Sequence, residues 1–204
     1  MTKLSVFINT WNRFELFHDV LGQMFAVKDK STEVFILDDC SDAEYDFSGF
    51  DITGYDRLKE RVGCAFARKA AIEWALGTGP GPFLFMDNDL LLSEGFDTIA
   101  LELWLDKRRR HLDCAGSPYC PKEGWHRKRE IVYPDYIWGA SFPGTALFLD
   151  KENSEMALKM PPAFWNDWWD WALGGWIAGV IRPLKTMGVH IGTDSEAKHS
   201  ALYE

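Results

Sequence analysis

Two carboxylates separated by one residue, Asp87 and Asp89, directly follow a short apolar run in this sequence. The run, Phe83–Met86, has the length of a buried strand, so the carboxylates stand where that strand would end. Carboxylates in this position can share one hard cation, because Mg²⁺ and Mn²⁺ favour oxygen ligands and leave positions open for substrate phosphates. The alternative is a polar turn in which Asp and Asn bond to their own backbone. The position of this pair after a buried strand, with Asp38-Asp39 after the previous apolar run, predicts a Mn²⁺ or Mg²⁺ site.

Polar clusters also end the two earlier apolar runs. They are Thr10-Trp11-Asn12 after residues 4–8, and Asp38-Asp39 after residues 34–37. The carboxyl ends of parallel strands face one crevice in which ligands bind. Carboxylate and carboxamide side chains gathered there suit hydroxyl groups, the edge of a base or a divalent cation. The three clusters together therefore predict one binding crevice.

Helical patterns separate these runs and would position the clusters. Apolar residues recur at three- and four-residue spacing over 14–24, with Asn12 as the expected helix cap, and a helix with an alanine-rich inner stripe is predicted over 64–76. A third helix is expected over 95–110. Strands alternating with helices indicate an α/β fold with a mostly parallel central sheet flanked by helices.

The second half of the chain has a less regular pattern. Residues 113–130 are expected to be a long connection, 145–149 a strand, 164–180 a Trp-rich helix, and the segment from 189 onward a polar tail. No repeat and no composition shift divides the chain, so one domain over residues 1–204 is expected.

The order of the motifs resembles that of nucleotide-sugar glycosyltransferases of the GT-A fold, most of all the family 2 group. That family typically carries P-T-Y-N-R, D-D-x-S, G-x-x-x-A-R-N and D-x-D. The corresponding segments here are Asn9–Arg13, Asp38–Ser41, Gly63–Lys69 and Asp87–Asp89. The resemblance covers about the first hundred residues. It implies a single GT-A, Rossmann-like domain, with a nucleotide-sugar-binding half over 1–100 and an acceptor-binding half over 101–204.

The resemblance also implies a role for each matching residue. Thr10 and Trp11 would line the nucleotide pocket, Asp39 (or Asp38 as the alternative) would accept the N3–H of uracil, Arg68 would lie near the base or the diphosphate, Asp87 would meet the ribose or the sugar, and Asp89 would hold the metal. A metal on the diphosphate neutralises the leaving group. Without the resemblance, Arg68 reads as a surface cation of a helix. The implied donor is a nucleotide sugar, and a UDP-sugar is the first candidate.

The family often places an acidic pair at the start of a late helix, and its last carboxylate is the catalytic base. Here that pair reads Asn166-Asp167, which makes Asp167 the candidate base and Asp170 its rival. An inverting transfer needs a base that deprotonates the acceptor hydroxyl. The alternative is an acid that complements a helix N-terminus. The family's Q-x-x-R-W motif is replaced by Gly174-Gly175-Trp176, which argues against processive synthesis.

Two further features of the second half are candidates for binding. Some metal-dependent GT-A enzymes use a late His as a ligand, so His190 is the candidate second metal residue, and an imidazole favours Mn²⁺ over Mg²⁺. Five Trp lie within residues 165–176, and Trp168 and Trp169 are candidates to stack on an acceptor. The alternative for each Trp is packing in the core.

Charge is unevenly distributed along the chain. The net charge is -9, yet residues 107–129 carry +6 and the remainder -15. This basic island predicts an anionic partner, with Arg109 and Arg127 as acceptor-binding candidates, or else a solvated helix end. The acceptor expected first is a saccharide or small molecule. The alternative is a hydroxymethylated base in DNA, as in viral DNA-modifying enzymes.

Composition excludes several other classes. With 15% aromatic residues among 204, the chain is not disordered, and no apolar stretch approaches the roughly 20 residues of a membrane span. With no signal peptide recognised, a soluble protein of the cytoplasm (the host cytoplasm if viral) is expected. Four Cys without a C-x-x-C pair argue against a zinc knuckle. A nucleotidyltransferase would need a Gly-rich loop where Asn9–Arg13 stands, and a non-catalytic nucleotide-sugar-binding module would need no base.

Overall fold

The computed structural model describes residues 3–108, 110–111, 114–119, 130–139, 145–166, 169–177 and 179–191. The strands in this part of the chain are β1 (Ser5–Thr10), β2 (Glu33–Asp38), β3 (Gly54–Arg57), β4 (Phe83–Asp87), β5 (Leu90–Leu92), β6 (Ala115–Gly116), β7 (Glu130–Val132), β8 (Tyr136–Gly139), β9 (Ala146–Leu149), β10 (Val180–Pro183) and β11 (Gly188–His190). The α-helices are α1 (Phe14–Val27), α2 (Cys64–Thr78), α3 (Ile99–Lys107), α4 (Lys151–Leu158) and α5 (Trp169–Trp176).

Nine of these strands form one sheet in the order β3-β2-β1-β4-β9-β6-β10-β8-β7. The first four, β3 to β4, are parallel, and β1 pairs with both β2 and β4. From β9 onward the pairing is mixed, since β9 is antiparallel to β4 and β8 is antiparallel to both β7 and β10. The α/β class predicted from the sequence is confirmed, and the parallel portion is the one built by the first half of the chain.

Both faces of the parallel portion are covered by apolar packing. Alternate residues of β1 enter different clusters: Val6 and Ile8 pack with residues of α1, whereas Phe7 packs with residues of α2. The Phe7 and Phe35 rings stack with centroids 4.6 Å apart. Because side chains on both faces are sealed in this way, polar groups of these strands emerge at the strand ends.

Local structure differs from the sequence-based expectation at several points. The helix after β1 begins at Phe14 with Arg13 at the cap position and no capping side chain, so the cap predicted at Asn12 is wrong. Asn12 has φ 48° and bonds instead to Asp42 on the neighbouring loop. The third helix is shorter than 95–110, and the Trp-rich helix is limited to α5, preceded by a 3-10 turn over Pro162–Phe164.

None of the described helices has both the length and the apolar character needed to cross a bilayer.

Candidate active site

Three polar clusters meet at one end of the parallel strands. The register pairs Thr10 with Asp38 and Asn9 with Asp87, which aligns the ends of β1, β2 and β4. A cavity of about 250 Å³ opens there. Five residues singled out from the sequence line it: Thr10, Trp11, Asp39, Asp87 and Asp89. The crevice predicted from the strand ends is therefore present in the fold.

The two acids at the end of β2 have different surroundings. Asp38 is fully buried and accepts hydrogen bonds from the backbone N–H and hydroxyl of Ser41, at 3.0 and 2.5 Å. Asp39 lines the cavity and accepts the backbone N–H groups of Val62 and Gly63 at 2.7 and 2.8 Å, one on each oxygen. Asp38 thus closes its own turn, while Asp39 anchors the loop before α2 and keeps a second lone pair on each oxygen.

Arg68 is completely buried and is not among the residues that line the cavity. It projects from α2 and donates to the Oδ1 atom of Asp87 at 2.6 Å and to the carbonyl of Met86 at 3.3 Å. The surface-cation alternative for Arg68 is therefore wrong. Burial raises the pKa of the Asp87 carboxyl to about 6, with Arg68 opposing the rise and Asp89 adding to it. Arg68 reaches the cavity through Asp87, whose orientation it fixes.

The fold brings Asp89 and His190 together although a hundred residues separate them. Antiparallel pairing of β11 with β5 sets His190 opposite Leu90. The His190 Nε2 atom then lies 3.0 Å from the Oδ1 atom of Asp89. The guanidinium of Arg13 contacts the other oxygen of this carboxylate. Burial opposes ionisation of Asp89, but the hydrogen bond to His190 and the charges of His190 and Arg13 keep its pKa below the usual value.

Asp89 and His190 form a donor set that suits a transition-metal ion. One carboxylate oxygen and one imidazole nitrogen face each other, and this combination favours Mn²⁺ over Mg²⁺. Within the described residues, no group of three or more His, Cys, Asp or Glu side chains is arranged around a cation position. The other ligands of a bound ion would then be substrate phosphates and water, as is common for such cations. The residues fit the expected metal.

Arg61 of the cavity lining and Tyr45, which supports Thr10, carried no signal that sequence reasoning used. Arg61, in the loop before α2, places its guanidinium 3.4 Å from the centroid of the Trp11 ring, which is 37% exposed. Thr10 is held by two hydrogen bonds, one shared with the Tyr45 hydroxyl at 2.7 Å and one from Asn88 at 2.8 Å. These contacts join loops that are distant in the sequence, so spacing within a motif cannot reveal them.

Not every predicted residue falls in the described part of the chain. Asp167, Trp168, Arg109 and Arg127 lie outside it, and their predicted roles stay predictions. Trp169 is described: it is 5% exposed and stacks on Trp165 with ring centroids 6.1 Å apart. This burial favours core packing over an acceptor-stacking role for Trp169.

The sequence profile of Glycosyl transferase family 2 matches residues 5–156. The chain belongs to glycosyltransferase family 2. The family, the GT-A fold and the enzyme class expected from the four motifs are thereby confirmed. No curated protein sequence is a significant match.

Three solved structures illustrate the fold likeness. GalNAc-T7 with UDP, GalNAc and Mn²⁺ superposes with a TM-score of 0.70 at 11% identity, over 90% of this chain and 42% of that one. The mannosyltransferase PcManGT of Pyrobaculum calidifontis with GDP-Man and Mn²⁺ gives 0.63 at 17% identity, over 93% and 57%. S. aureus TarS 1-349 with UDP-GlcNAc gives 0.62 at 14% identity, over 91% and 57%. The family 2 chain described here spans 42% to 57% of the length of these three chains.

Proposed function

We propose that this family 2 chain transfers a hexosyl or pentosyl group from a nucleoside diphosphate sugar, first a UDP-sugar, to an acceptor hydroxyl with the help of Mn²⁺ or Mg²⁺. The observation that carries the proposal is the convergence of Asp39, Asp87 and Asp89 on one cavity, with His190 3.0 Å from Asp89. The solved structures of similar fold hold UDP, UDP-GlcNAc or GDP-Man, and two of them hold Mn²⁺.

The nucleotide would occupy the part of the cavity between β1 and the start of α2. Trp11 offers an aromatic face on which a base can stack, and Arg61 already lies over that ring. Asp39 has lone pairs left for an N–H of the base, since each of its oxygens accepts only one backbone hydrogen bond. Asp87, held by Arg68, is oriented to accept a hydroxyl of the ribose or the sugar.

Asp89 and His190 would hold the cation. A divalent ion bound by them supplies positive charge to the diphosphate as the glycosidic bond breaks. Arg13 contacts the second oxygen of Asp89 and thereby keeps Oδ1 directed at His190. The residues of this chain thus prepare an anion-binding position, although the cavity itself is lined by three carboxylates.

The transfer is proposed to be inverting, with Asp167 as the base that deprotonates the acceptor. An inverting displacement needs a carboxylate on the acceptor side, and Asp167 occupies the family position for it. Asp170 is the alternative.

A saccharide or another small molecule is proposed as the acceptor. Part of the positive charge of the basic island is already paired within the protein, because Lys107 pairs with Asp106 and Asp135 at 2.9 and 2.7 Å. Arg108 pairs with Asp150. These internal pairs reduce the charge available to a nucleic acid backbone, so hydroxymethylated DNA stays the second candidate.

The decisive experiment incubates the protein with a panel of nucleotide sugars, with Mn²⁺, with Mg²⁺ and with a chelator, and identifies the products. We expect release of nucleoside diphosphate from one UDP-sugar in the presence of metal and no release with chelator. Pyrophosphate among the products would indicate a nucleotidyltransferase. Binding of a nucleotide sugar without release of nucleoside diphosphate, whichever acceptor is added, would indicate a non-catalytic binding module.

A further inference from the structure

The buried amide of Asn9 has no hydrogen-bond partner. Asn9 is the second-last residue of β1, is 8% exposed, and lines the cavity next to Thr10. Within the described residues, neither its Nδ2 nor its Oδ1 atom finds a donor or acceptor. Most buried polar side chains in proteins are paired, so an amide with both ends unpaired calls for an explanation.

Packing alone would favour an apolar residue at this position. A buried polar group without a partner is destabilising, and an apolar side chain of the same shape avoids that penalty. Phe7, two residues earlier on the same face of β1, lies in the apolar cluster that packs against α2. The family motif also typically has Pro where this chain has Asn9. The amide is therefore a feature of this chain that the fold does not need.

The neighbouring asparagine shows the contrast. Asn88 lines the same cavity, but its Nδ2 atom donates to the Thr10 hydroxyl at 2.8 Å. Asn88 thus serves the structure, whereas the hydrogen-bonding groups of Asn9 are left for whatever enters the cavity.

The chemistry of the Asn9 amide indicates which part of a bound nucleotide sugar it would contact. An amide presents one acceptor and one NH₂ donor, whereas a diphosphate offers acceptors only and would leave Oδ1 unpaired. The edge of a nucleobase displays donors and acceptors side by side. Trp11 and Asp39 line the same cavity, and Asp39 has acceptors only, so it cannot bond a base carbonyl. We infer that Asn9 hydrogen-bonds the base of the bound nucleotide, an inference that rests on the proposed function.

The test compares Asn9→Leu and Asn9→Ala with the wild type by calorimetry, using UDP and inorganic pyrophosphate as probes, both with Mn²⁺. We expect UDP affinity to fall about tenfold in both variants, which corresponds to the loss of one or two hydrogen bonds. Pyrophosphate affinity should not change. The melting temperature of Asn9→Leu should equal or exceed that of the wild type, because no partner is lost. Asn88→Ala, which removes a paired amide, should melt lower.

Four results would overturn the inference, each in a recognisable way. Unchanged UDP affinity would mean that the amide serves no ligand. An equal loss of UDP and pyrophosphate affinity would assign Asn9 to the phosphates or to the cavity shape. A lower melting temperature in both Asn9 variants would reveal a structural partner. A wild type that binds no nucleotide would instead refute the proposed function, and the inference with it.

Discussion

At the scale of single residues, Asp89 is the side chain in which the proposed chemistry is concentrated. It contacts Arg13 through one oxygen and His190 through the other, so it joins the segment after β4 to the start of α1 and to β11. From the sequence, the position of Asp87 and Asp89 after a buried strand indicated a metal site, and the family resemblance named Asp89 as the metal ligand. The Arg13 contact could not be predicted from the sequence. Arg13 follows β1 and Asp89 follows β4, and the distance between these two strand ends depends on the order of the strands in the sheet.

We predict that Asp89→Asn lowers Mn²⁺-dependent UDP affinity at least tenfold, because an amide replaces the charged ligand of the cation. Calorimetry with UDP, with and without Mn²⁺, measures the effect. Asp106→Asn is the matched control, since Asp106 is exposed and pairs with Lys107 at 2.9 Å, outside the cavity lining. Equal UDP affinity in Asp89→Asn and the wild type, at equal Mn²⁺, would contradict the metal role.

Arg68 gives a second prediction at this scale. Arg68→Met should lower the free energy of unfolding by about 3 kcal/mol, because it leaves the carboxylate of Asp87 without its buried cation. Lys69→Met is the neighbouring control: Lys69 is partly exposed and faces Glu73 at 3.8 Å, so its loss should cost less than about 0.5 kcal/mol. Urea unfolding of both variants measures the difference. A similar loss of unfolding free energy in the two variants would show that the pairing of Arg68 with Asp87 contributes little to stability.

At the scale of elements, the sequence predicted those whose signal is local. Strands β1, β2 and β4 are continuous apolar runs buried on both faces, and α1 and α2 carry clear helical spacing. Strands β5, β6 and β11 have only two or three residues, and their pairing partners are distant in sequence. The placement of His190 beside Asp89 depends on one of these short pairings. Sequence reasoning could name His190 only through the family resemblance.

A pair of glycine substitutions tests how these elements pack. Gly116 in β6 lies against α3, and an added Cβ would be 2.4 Å from the Cγ atom of the buried Trp104. Gly116→Ala should therefore destabilise the protein by about 1–3 kcal/mol. Gly22 lies inside α1 with no atom within 4 Å of an added Cβ, so Gly22→Ala should stabilise it by about 0.5–1 kcal/mol. Thermal unfolding of both variants measures the signs. If Gly116→Ala leaves the stability unchanged, the Trp104 side chain does not lie against Gly116.

At the scale of the whole molecule, the site joins both halves of the chain. The cavity is lined by residues from the first hundred positions, while His190 comes from β11 near the end of the described residues. The family profile ends at residue 156, so His190 lies beyond the matched segment. The half of the chain with the weaker sequence signal therefore supplies the second proposed metal ligand.

The last prediction concerns the acceptor and depends on the charge of the whole chain. With a net charge of -9, and with Lys107 and Arg108 paired to acids, the molecule should repel a long polyanion. We expect no measurable affinity for duplex DNA, measured by fluorescence anisotropy from low to physiological salt.

The triple variant with Arg109, Arg127 and Arg129 changed to Ala should then behave like the wild type. Its control removes the same charge at Lys30, Lys151 and Lys185, which are exposed elsewhere. If the wild type binds DNA at low salt, and if the arginine variant alone flattens the dependence of affinity on salt, phosphate contacts of the basic island are real. In that case hydroxymethylated DNA replaces the saccharide as the proposed acceptor.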